Sequence, residues 1–189
     1  MTTEFKYSLK GQFLIAMPQL HDPNFYKTVT CISEHNAQGA VGVVINQVQP
    51  LLSAKLIFNE LNIDYLAGAE DIPIYLGGPV HLNEIFILHG PPFDWDGCLL
   101  INQDLALSNS RAVLNAIAQQ KGPNSYIICL GCAGWGPGQL DYEIKENVWV
   151  TTQCSNKIIF NRPLASRWED AIKQLGIDPA LLSDTAGHA

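Results

Sequence analysis

Positive charge is scarce in this sequence, and it is missing from the middle of the chain. The 189 residues contain 11 Lys and Arg against 18 Asp and Glu, which gives a formal net charge of −7. No Lys or Arg occurs between Lys55 and Arg111, whereas that segment holds Glu60, Asp64, Glu70, Asp71, Glu84, Asp94, Asp96 and Asp104. Such a segment repels phosphate backbones, so we expect no direct binding of nucleic acid. Two interpretations of the acidic segment remain: a solvated surface, or a docking face for a basic partner protein.

Long apolar runs are absent as well. No run approaches the ~20 residues that a membrane-spanning helix needs, so we expect no membrane association. The short apolar stretch from Phe13 to Met17 follows Glu4 and Lys10, which is unlike a signal peptide. Five cysteines, an odd number, without an export signal indicate reduced thiols. The sequence therefore predicts a cytoplasmic protein.

Recognisable cofactor, metal and nucleophile motifs are also missing. The chain has no P-loop, no G-x-G-x-x-G fingerprint, no G-x-S-x-G elbow and no Ser-x-x-Lys. Cys129 and Cys132 form a lone Cys-x-x-Cys without a second pair of ligands, which is better explained by buried small residues than by zinc. His89, Asp94 and Asp96 are close in sequence but lack the spacing of a calcium loop. We predict no cofactor and no metal site.

The pattern of apolar residues predicts one α+β domain over residues 1–189. Runs of strands are interrupted by isolated helices, which argues against a strictly alternating parallel sheet. Nine strands exceed what one flat open sheet holds comfortably, so we expect a strongly curved or split sheet. The predicted strands are 12–17, 28–34, 40–46, 72–76, 84–88, 98–101, 126–130, 149–153 and 157–160, the last two joined in a hairpin by Cys154, Ser155 and Asn156. The predicted helices are one capped by Ser53 and running to Leu61, one capped by Ser108 and running to about Gln120, one over 140–147, and one opened by Pro163 and ended by Gly176.

The stretch from Gly131 to Leu140 (GCAGWGPGQL) is the most distinctive in the sequence. It follows an apolar strand and leads into a predicted helix, an arrangement that can present backbone N–H groups to a ligand. Acidic residues in the helix oppose a bound phosphate. Two interpretations remain: a structural turn in which Gly136 and Gly138 adopt conformations closed to a Cβ, or a pocket for a neutral or cationic ligand. In such a pocket Trp135 would stack on the ligand, and the Gln139 amide would both donate a hydrogen bond to it and accept one from it.

Four further polar residues are candidates for a site. Glu34 and His35 end a predicted strand, and His89 ends another, where an imidazole beside a carboxylate could transfer protons. Adjacent strand residues point to opposite faces, however, so Glu34 and His35 share a site only if the strand has ended. Asn46 closes a third strand. Convergence of His35, Asn46, His89 and Gln139 in one cleft would favour an enzyme or binding protein, whereas dispersal would favour a scaffold.

Together these motifs resemble the bacterial YqgE/AlgH family over nearly the whole chain. The matching residues are Met17-Pro18, Leu20, Asp22-Pro23, Phe25, Thr28-Val29, Glu34-His35, Gly39-Ala40, Gly42, Asn46, Gly77-Gly78-Pro79-Val80, Leu88-His89, Gly134 to Leu140, Glu143-Ile144, Trp149 and Gly187-His188-Ala189. The resemblance implies an α+β fold whose sheets bend into a barrel-like core with flanking helices. It also links the chain with transcriptional regulation of alginate synthesis in one lineage, and it supplies no catalytic residues.

Two functions are compatible with these observations. The first is a cytoplasmic regulatory protein that acts by binding an unidentified small molecule or protein, without contacting DNA itself. The alternative is an enzyme, a hydrolase with acid/base chemistry in a polar cleft around Glu34, His35 and His89. The sequence alone predicts no oligomeric state.

Overall fold

Ten β-strands and four α-helices make up most of the regular structure in residues 7–182, the part of the chain that the computed structural model describes. The family-like residues Gly187, His188 and Ala189 lie outside the described part. The strands are β1 Gln12–Ala16, β2 Val29–Asn36, β3 Gly39–Val44, β4 Val48–Ser53, β5 Pro73–Leu76, β6 Val80–His89, β7 Cys98–Asn102, β8 Leu105–Ser108, β9 Tyr126–Trp135 and β10 Trp149–Gln153. The helices are α1 Ala54–Glu60, α2 Arg111–Ala118, α3 Gln139–Lys145 and α4 Arg167–Gln174.

The predicted strands are largely confirmed, with one exception at 157–160. Those residues belong to a π-helix, Lys157–Asn161, because Ser155 starts a helical turn: its carbonyl accepts from Ile159 N–H and its hydroxyl from Ile158 N–H. Ile158 and Ile159 are both buried, which suits a helical turn better than a half-buried strand. The predicted hairpin is therefore wrong. Strands β4 and β8 have no counterpart in the sequence prediction.

The helices follow their capping and periodicity signals. Helix α2 begins after Ser110, whose hydroxyl accepts from Val113 N–H, so the predicted cap at Ser108 is wrong. Ser108 instead ends β8 and pairs with β6 and β7. Helix α4 buries Trp168 and Ile172 on one stripe, and Gly176 follows its end with a left-handed φ of 75°, as predicted.

The strands form one sheet in the order β10–β1–β2–β3–β9–β6–β8–β7. All pairs along this path are antiparallel, while β5 pairs in parallel with the first half of β9 and β4 pairs with β5. Strand β9 changes neighbours along its length: β5 contacts Ile128–Leu130, and β3 contacts Ala133–Trp135. The Gly77-Gly78 turn packs against β9 at the point where β9 changes neighbours. A Cβ on Gly78 would lie 2.3 Å from the backbone of Cys132.

The sheet is open, which corrects the expectation of a strongly curved, barrel-like core. Its outer strands, β10 and β7, do not pair with each other in the described residues. At the edge of β10, the amide of Gln174 on α4 donates to Gln153 O (2.7 Å) and Thr152 Oγ1 (3.0 Å). The α+β class and the flanking helices are confirmed.

Three apolar clusters hold the domain together. The largest joins side chains of β1–β3 and β6–β9 with α4, and the second packs α1 and α2 on the sheet. The third surrounds Trp135 and Trp149 where α3 meets β1, β3 and β9. None of the helices in residues 7–182 is long and apolar enough to cross a bilayer.

Candidate functional site

The glycine-rich turn is organised around the carboxylate of Glu143. Its Oε2 accepts from the indole N–H of Trp135 (2.9 Å) and from that of Trp149 (2.8 Å). Its Oε1 accepts from the Gln139 amide (2.8 Å), and the Gln139 carbonyl accepts from Gly136 N–H (3.0 Å). Four donors and three acceptor atoms in and around the turn are thus paired within the protein. Sequence reasoning placed Glu143 in the family pattern but gave it no role.

The Trp135 ring is packed inside this network. Trp135 is 7% exposed, and its ring lies against Phe25 (centroids 6.1 Å apart) and edge-on to Trp149 (5.9 Å). Phe25 also meets Trp149 edge-to-face at 5.4 Å. A ring enclosed in this way offers no open face for a ligand, and both ends of the Gln139 amide are engaged. The geometry favours the structural interpretation of the turn over the ligand pocket.

The two glycines of the turn differ, which corrects the expectation that both are conformationally required. Gly138 has a φ of +70° and stands just before α3, whereas Gly136 is not left-handed and a Cβ there would meet only Gln139 Oε1 at 3.8 Å. We predict that Gly138→Ala lowers the free energy of unfolding by about 1 kcal/mol, the usual cost of a Cβ at positive φ. Gly136→Ala, its matched control, should change it by less than ~0.5 kcal/mol. Urea denaturation of both variants tests this; equal losses would contradict it.

Glu34 and His35 point to opposite sides of β2. Ser33 forms a bulge between the pairs Ile32–Gly42 and Glu34–Val41, and beyond it Glu34 is exposed while His35 is buried. His35 Nδ1 accepts from Leu9 N–H (3.1 Å), so the ring proton lies on Nε2, 3.6 Å from Asp141 Oδ2. Glu34 accepts from the Asn36 amide (2.9 Å). The pair therefore does not form one site, as the alternation of strand residues predicts.

Asn46 ties two backbone segments together. Its carbonyl accepts from Val29 N–H (2.8 Å), and its amide donates to Lys27 O (2.9 Å). It borders a hollow of about 460 Å³ beside α4, lined also by Lys27 and Trp168. Both ends of the Asn46 amide are bonded to the backbone, so the structure gives this side chain no free group for a ligand in the hollow.

His89 lies in a buried polar pocket of its own. Its Nδ1 faces Gly90 O at 2.7 Å, its Nε2 faces Ser108 Oγ at 2.8 Å, and the Phe93 ring lies 5.9 Å away. Burial lowers the pKa of His89, with the Gly90 carbonyl opposing this in part, so the neutral form dominates at pH 7. Protonation is easier in the unfolded chain, and this residue therefore reduces stability as the pH falls below about 6.5. Neutral His89 donates to Gly90 and accepts from Ser108.

The candidate polar residues are dispersed. His35, Trp135 and Gln139 lie where β2 and β9 meet α3, Asn46 lies beside α4, and His89 lies beneath the β6–β7 loop. The hollow that Glu34 borders with Trp135 contains neither histidine. By the criterion of convergence, this dispersal favours a scaffold over an enzyme cleft.

The cysteines are free and mostly buried. Burial raises the pKa of Cys132 to about 11, and it raises the pKa values of Cys129 and Cys154 well above their usual range. Cys31 and Cys154 approach to 3.3 Å between sulfur atoms. No group of three or more His, Cys, Asp and Glu side chains in residues 7–182 is placed to hold a metal ion.

We predict that all five cysteines titrate as free thiols in freshly purified, denatured protein. In the native protein at pH 8, Cys129, Cys132 and Cys154 should react slowly with a disulfide reagent, because the thiolate is the attacking form and burial disfavours it. Thiol counting and metal analysis check this. Stoichiometric zinc, or a bond between Cys129 and Cys132 that survives purification, would refute it.

Most acidic residues between Glu60 and Asp104 are exposed. Glu60 ends α1, Glu84 lies on β6, Asp94 and Asp96 lie in the β6–β7 loop, and Asp104 lies in the β7–β8 turn. Among the described residues, no Lys or Arg forms an ion pair with any acidic residue from Glu60 to Asp104; Glu84 pairs with His81 (2.9 Å). The sequence contained this signal, and the fold preserves it as uncompensated surface charge.

Comparisons with known proteins agree on one family. The family described as DUF179, AlgH-like, matches residues 13–180. A UPF0301 protein of Desulforapulum autotrophicum is 51% identical over 96% of each chain, and one of Thioalkalivibrio sulfidiphilus is 44% identical over 95% of this chain and 96% of that relative.

Two solved structures are similar. The AlgH protein from Pseudomonas aeruginosa matches with a TM-score of 0.79 and 41% identity over 100% of both chains. A protein from Corynebacterium diphtheriae matches with a TM-score of 0.73 over 93% of this chain and 91% of that one; at 20% identity it shows the fold alone. The chain belongs to the AlgH-like, UPF0301 family.

Proposed function

We propose that this AlgH-like protein is a cytoplasmic regulatory protein that binds a basic protein partner through exposed carboxylates between Glu60 and Asp104. The regulatory part of the proposal rests on the link between the family and alginate regulation. The cytoplasmic part rests on five cysteines that stand as free thiols in the fold.

The uncompensated carboxylates carry the proposal. Seven of the eight acidic residues between Glu60 and Asp104 are exposed, and Glu70 is half-buried. A surface of one sign attracts a partner of the opposite sign and accelerates its encounter, and both effects weaken as salt rises. The same surface repels nucleic acid.

A protein partner is favoured over a small molecule because the polar candidates do not converge. Hydrogen bonds to the backbone of the protein itself engage three of these side chains, those of His35, Asn46 and Gln139. Small-molecule sites usually combine an apolar cavity with several convergent polar groups. A small molecule that copurifies at one equivalent, found by native mass spectrometry, would instead support the small-molecule form of the regulatory function.

Carbodiimide cross-linking tests the proposal directly, because this reagent joins carboxylates to lysine amines in contact. Applied in cells of the native host, it should join Glu84, Asp94, Asp96 or Asp104 to lysines of one protein. Asp94→Asn with Asp96→Asn should weaken that complex, measured with purified components, whereas Glu146→Gln with Glu169→Gln should not. Cross-links spread evenly over all exposed carboxylates, or equal effects of the two pairs, would refute the proposal.

We predict that the isolated protein shows no sequence-specific binding to its own promoter DNA. At 150 mM salt its affinity for that duplex should be weaker than ~1 μM and equal to its affinity for random duplex, because its net charge is −7 and no basic recognition helix exists in residues 7–182. Fluorescence anisotropy with both duplexes measures this. Submicromolar binding with discrimination would contradict it.

Hydrolysis remains the second candidate because of the Ser108–His89 pair. A serine hydroxyl bonded to a neutral imidazole, itself oriented by a carbonyl, is the arrangement of an activated nucleophile. Ser108 also borders the hollow that Glu34 lines. The two side chains are only 1% and 0% exposed, which places this function second. Labelling of Ser108 by a fluorophosphonate, abolished in His89→Gln, would support it; an unlabelled Ser108 would reject it.

A further inference from the structure

The hollow beside α4 combines apolar walls with a lysine at its rim. Its volume is about 460 Å³, and its apolar lining comes from Val48, Leu164, Ala165 and Trp168. The charged side chains that line it are those of Lys27 and Glu169. An apolar hollow with a small number of placed polar groups is the usual form of a small-molecule site. The charge at the rim therefore decides which ligand the hollow can take.

Lys27 is held at this hollow without an anionic partner. Its backbone has a left-handed φ of +51°, and its carbonyl accepts from the Asn46 amide (2.9 Å). Its Nζ lies 5.5 Å from the centroid of the Trp168 ring and 5.6 Å from that of Tyr26. Among residues 7–182, this ammonium group forms no ion pair. Contacts with two aromatic rings position the ammonium and leave its N–H donors for an acceptor in the hollow.

The carboxylate of Glu169 does not cancel the charge of Lys27. Its Oε2 lies 3.8 Å from Lys173 Nζ, one turn further along α4, and both side chains are more than half exposed. The three groups are two cations and one anion, which leaves one positive charge beside the hollow. An anion that enters the hollow can pair with Lys27 without displacing an existing ion pair of that residue.

A second uncompensated cation lies next to the lining residues. Arg167 directly precedes Trp168 and is only 4% exposed. Its Nη1 donates to Ile45 O, the residue before Asn46, and its remaining acceptors are neutral as well. Buried charges in proteins are usually paired with an opposite charge. An anion in the hollow is therefore attracted by Arg167 in addition to Lys27.

We propose that the hollow beside α4 binds a small organic monocarboxylate with an aromatic or aliphatic body. The carboxylate accepts hydrogen bonds from Lys27 Nζ, and the apolar body packs against Val48, Leu164 and Trp168. One negative charge matches the single positive charge at the rim, whereas a dianion would also be repelled by Glu169. The inference goes beyond the proposed function, because the hollow shares no residue with the carboxylates between Glu60 and Asp104.

Two ligands of the same shape test the charge requirement. Naphthalene-2-carboxylate and the neutral naphthalene-2-carboxamide are titrated into isotopically labelled protein at pH 7 and 150 mM salt. The carboxylate should bind saturably with a Kd of about 1 mM or tighter, and the Trp168 indole N–H and the backbone amides of Lys27 and Val48 should shift most. The carboxamide should bind about tenfold more weakly or worse. No saturable binding of the carboxylate, equal affinities, or shifts centred elsewhere would overturn the proposal.

Variants of Lys27 test the cation. Lys27→Met and Lys27→Gln remove the charge and keep most of the side-chain stem, so each should weaken carboxylate binding about tenfold or more and leave carboxamide binding within about twofold. Lys27→Arg should stay within about threefold of wild type. Lys145→Met is the matched control: Lys145 is exposed at the end of α3, and its loss should change the affinity by less than about twofold.

Thermal unfolding shows that each of these variants is folded. Carboxylate binding that survives both neutral Lys27 variants, or an equal loss in Lys145→Met, overturns the inference. Because Asp94 and Asp96 are unchanged in all of them, their binding of the cross-linked cellular partner is measured separately. A loss of carboxylate binding with an intact partner complex shows that the hollow is a second site.

Discussion

Glu143→Ala is expected to lower the free energy of unfolding by about 3 kcal/mol or more. The substitution removes the acceptor of two indole N–H groups, those of Trp135 and Trp149, both buried beside Phe25. A buried donor left without a partner costs about 1–3 kcal/mol, and bonds to a charged acceptor are stronger than neutral ones. The Gln139 amide loses its acceptor too, although its exposure lets water replace it.

Denaturant titration followed by the fluorescence of the four tryptophans, of which Trp135 and Trp149 are two, measures this loss. Glu143→Gln should cost less, because an amide oxygen still accepts from both indoles, while its NH₂ group faces the Gln139 amide. Glu146→Ala is the matched control: Glu146 is exposed, follows α3, and should cost less than ~0.5 kcal/mol. A Glu143→Ala protein as stable as the Glu146→Ala protein would show that the network adds nothing to stability.

Periodicity predicts this fold well where apolar residues alternate or repeat on one face. Strands β1, β3 and β9 are nearly continuous apolar runs, and α4 shows a clear stripe with a terminal Gly176, so their type follows from local pattern. The local pattern does not predict the secondary structure of a segment that is a strand only because neighbouring strands pair with it. Strand β8 has only four residues, Leu105–Ser108, and is a strand because β6 and β7 flank it.

Sheet closure could not be predicted from strand number. Nine predicted strands favour a strongly curved or split sheet, because they exceed what one flat open sheet holds comfortably, and the family resemblance implies a barrel-like core. The outer strands, β10 and β7, do not pair with each other in the described residues, and no local sequence pattern reports which distant strands pair. Side-chain contacts between distant elements are likewise invisible to periodicity.

The candidate site shows the same division. That Glu34 and His35 face opposite ways follows from strand geometry alone, and the structure agrees. That Gln139 spends both ends of its amide inside the turn depends on Glu143, four residues later on α3, and on Gly136. The spacing of Gln139 and Glu143, four residues apart on a helix, predicts a hydrogen bond between their side chains. No sequence pattern predicts that the indoles of Trp135 and Trp149 bond to the same carboxylate oxygen.

Arg167 is a buried cation without an anion, and its removal is expected to be as costly as that of Glu143. Its guanidinium is enclosed by neutral acceptors: Nη1 donates to Ile45 O, Nε to Arg162 O (3.1 Å) and Nη2 to Tyr75 Oη (3.2 Å). Its charge also lies 5.4 Å from the Tyr75 ring centroid. No carboxylate forms an ion pair with it among residues 7–182.

We predict that Arg167→Ala lowers the free energy of unfolding by about 3–5 kcal/mol, since it leaves two buried acceptors, Ile45 O and Tyr75 Oη, and the partly buried Arg162 O unpaired around a cavity. Arg167→Lys should recover less than half of this, because one ammonium cannot replace a planar fork whose donors reach three separate acceptors. Arg162→Ala is the control: its ion pair with Asp170 (3.1 Å) is partly exposed and should be worth at most ~1 kcal/mol. Denaturant titration measures all three variants.

Hydrogen exchange separates a local effect from a global one. The three acceptors lie on the residue after β3, on β5 and before α4, so Arg167 joins α4 to the sheet. In Arg167→Lys, amides of α4 should lose protection before those of β9, because the helix detaches while the central strand stays paired. Uniform loss of protection would show that α4 and the sheet open as one unit. An Arg167→Ala protein within 1 kcal/mol of wild type would show that water replaces the guanidinium at its acceptors.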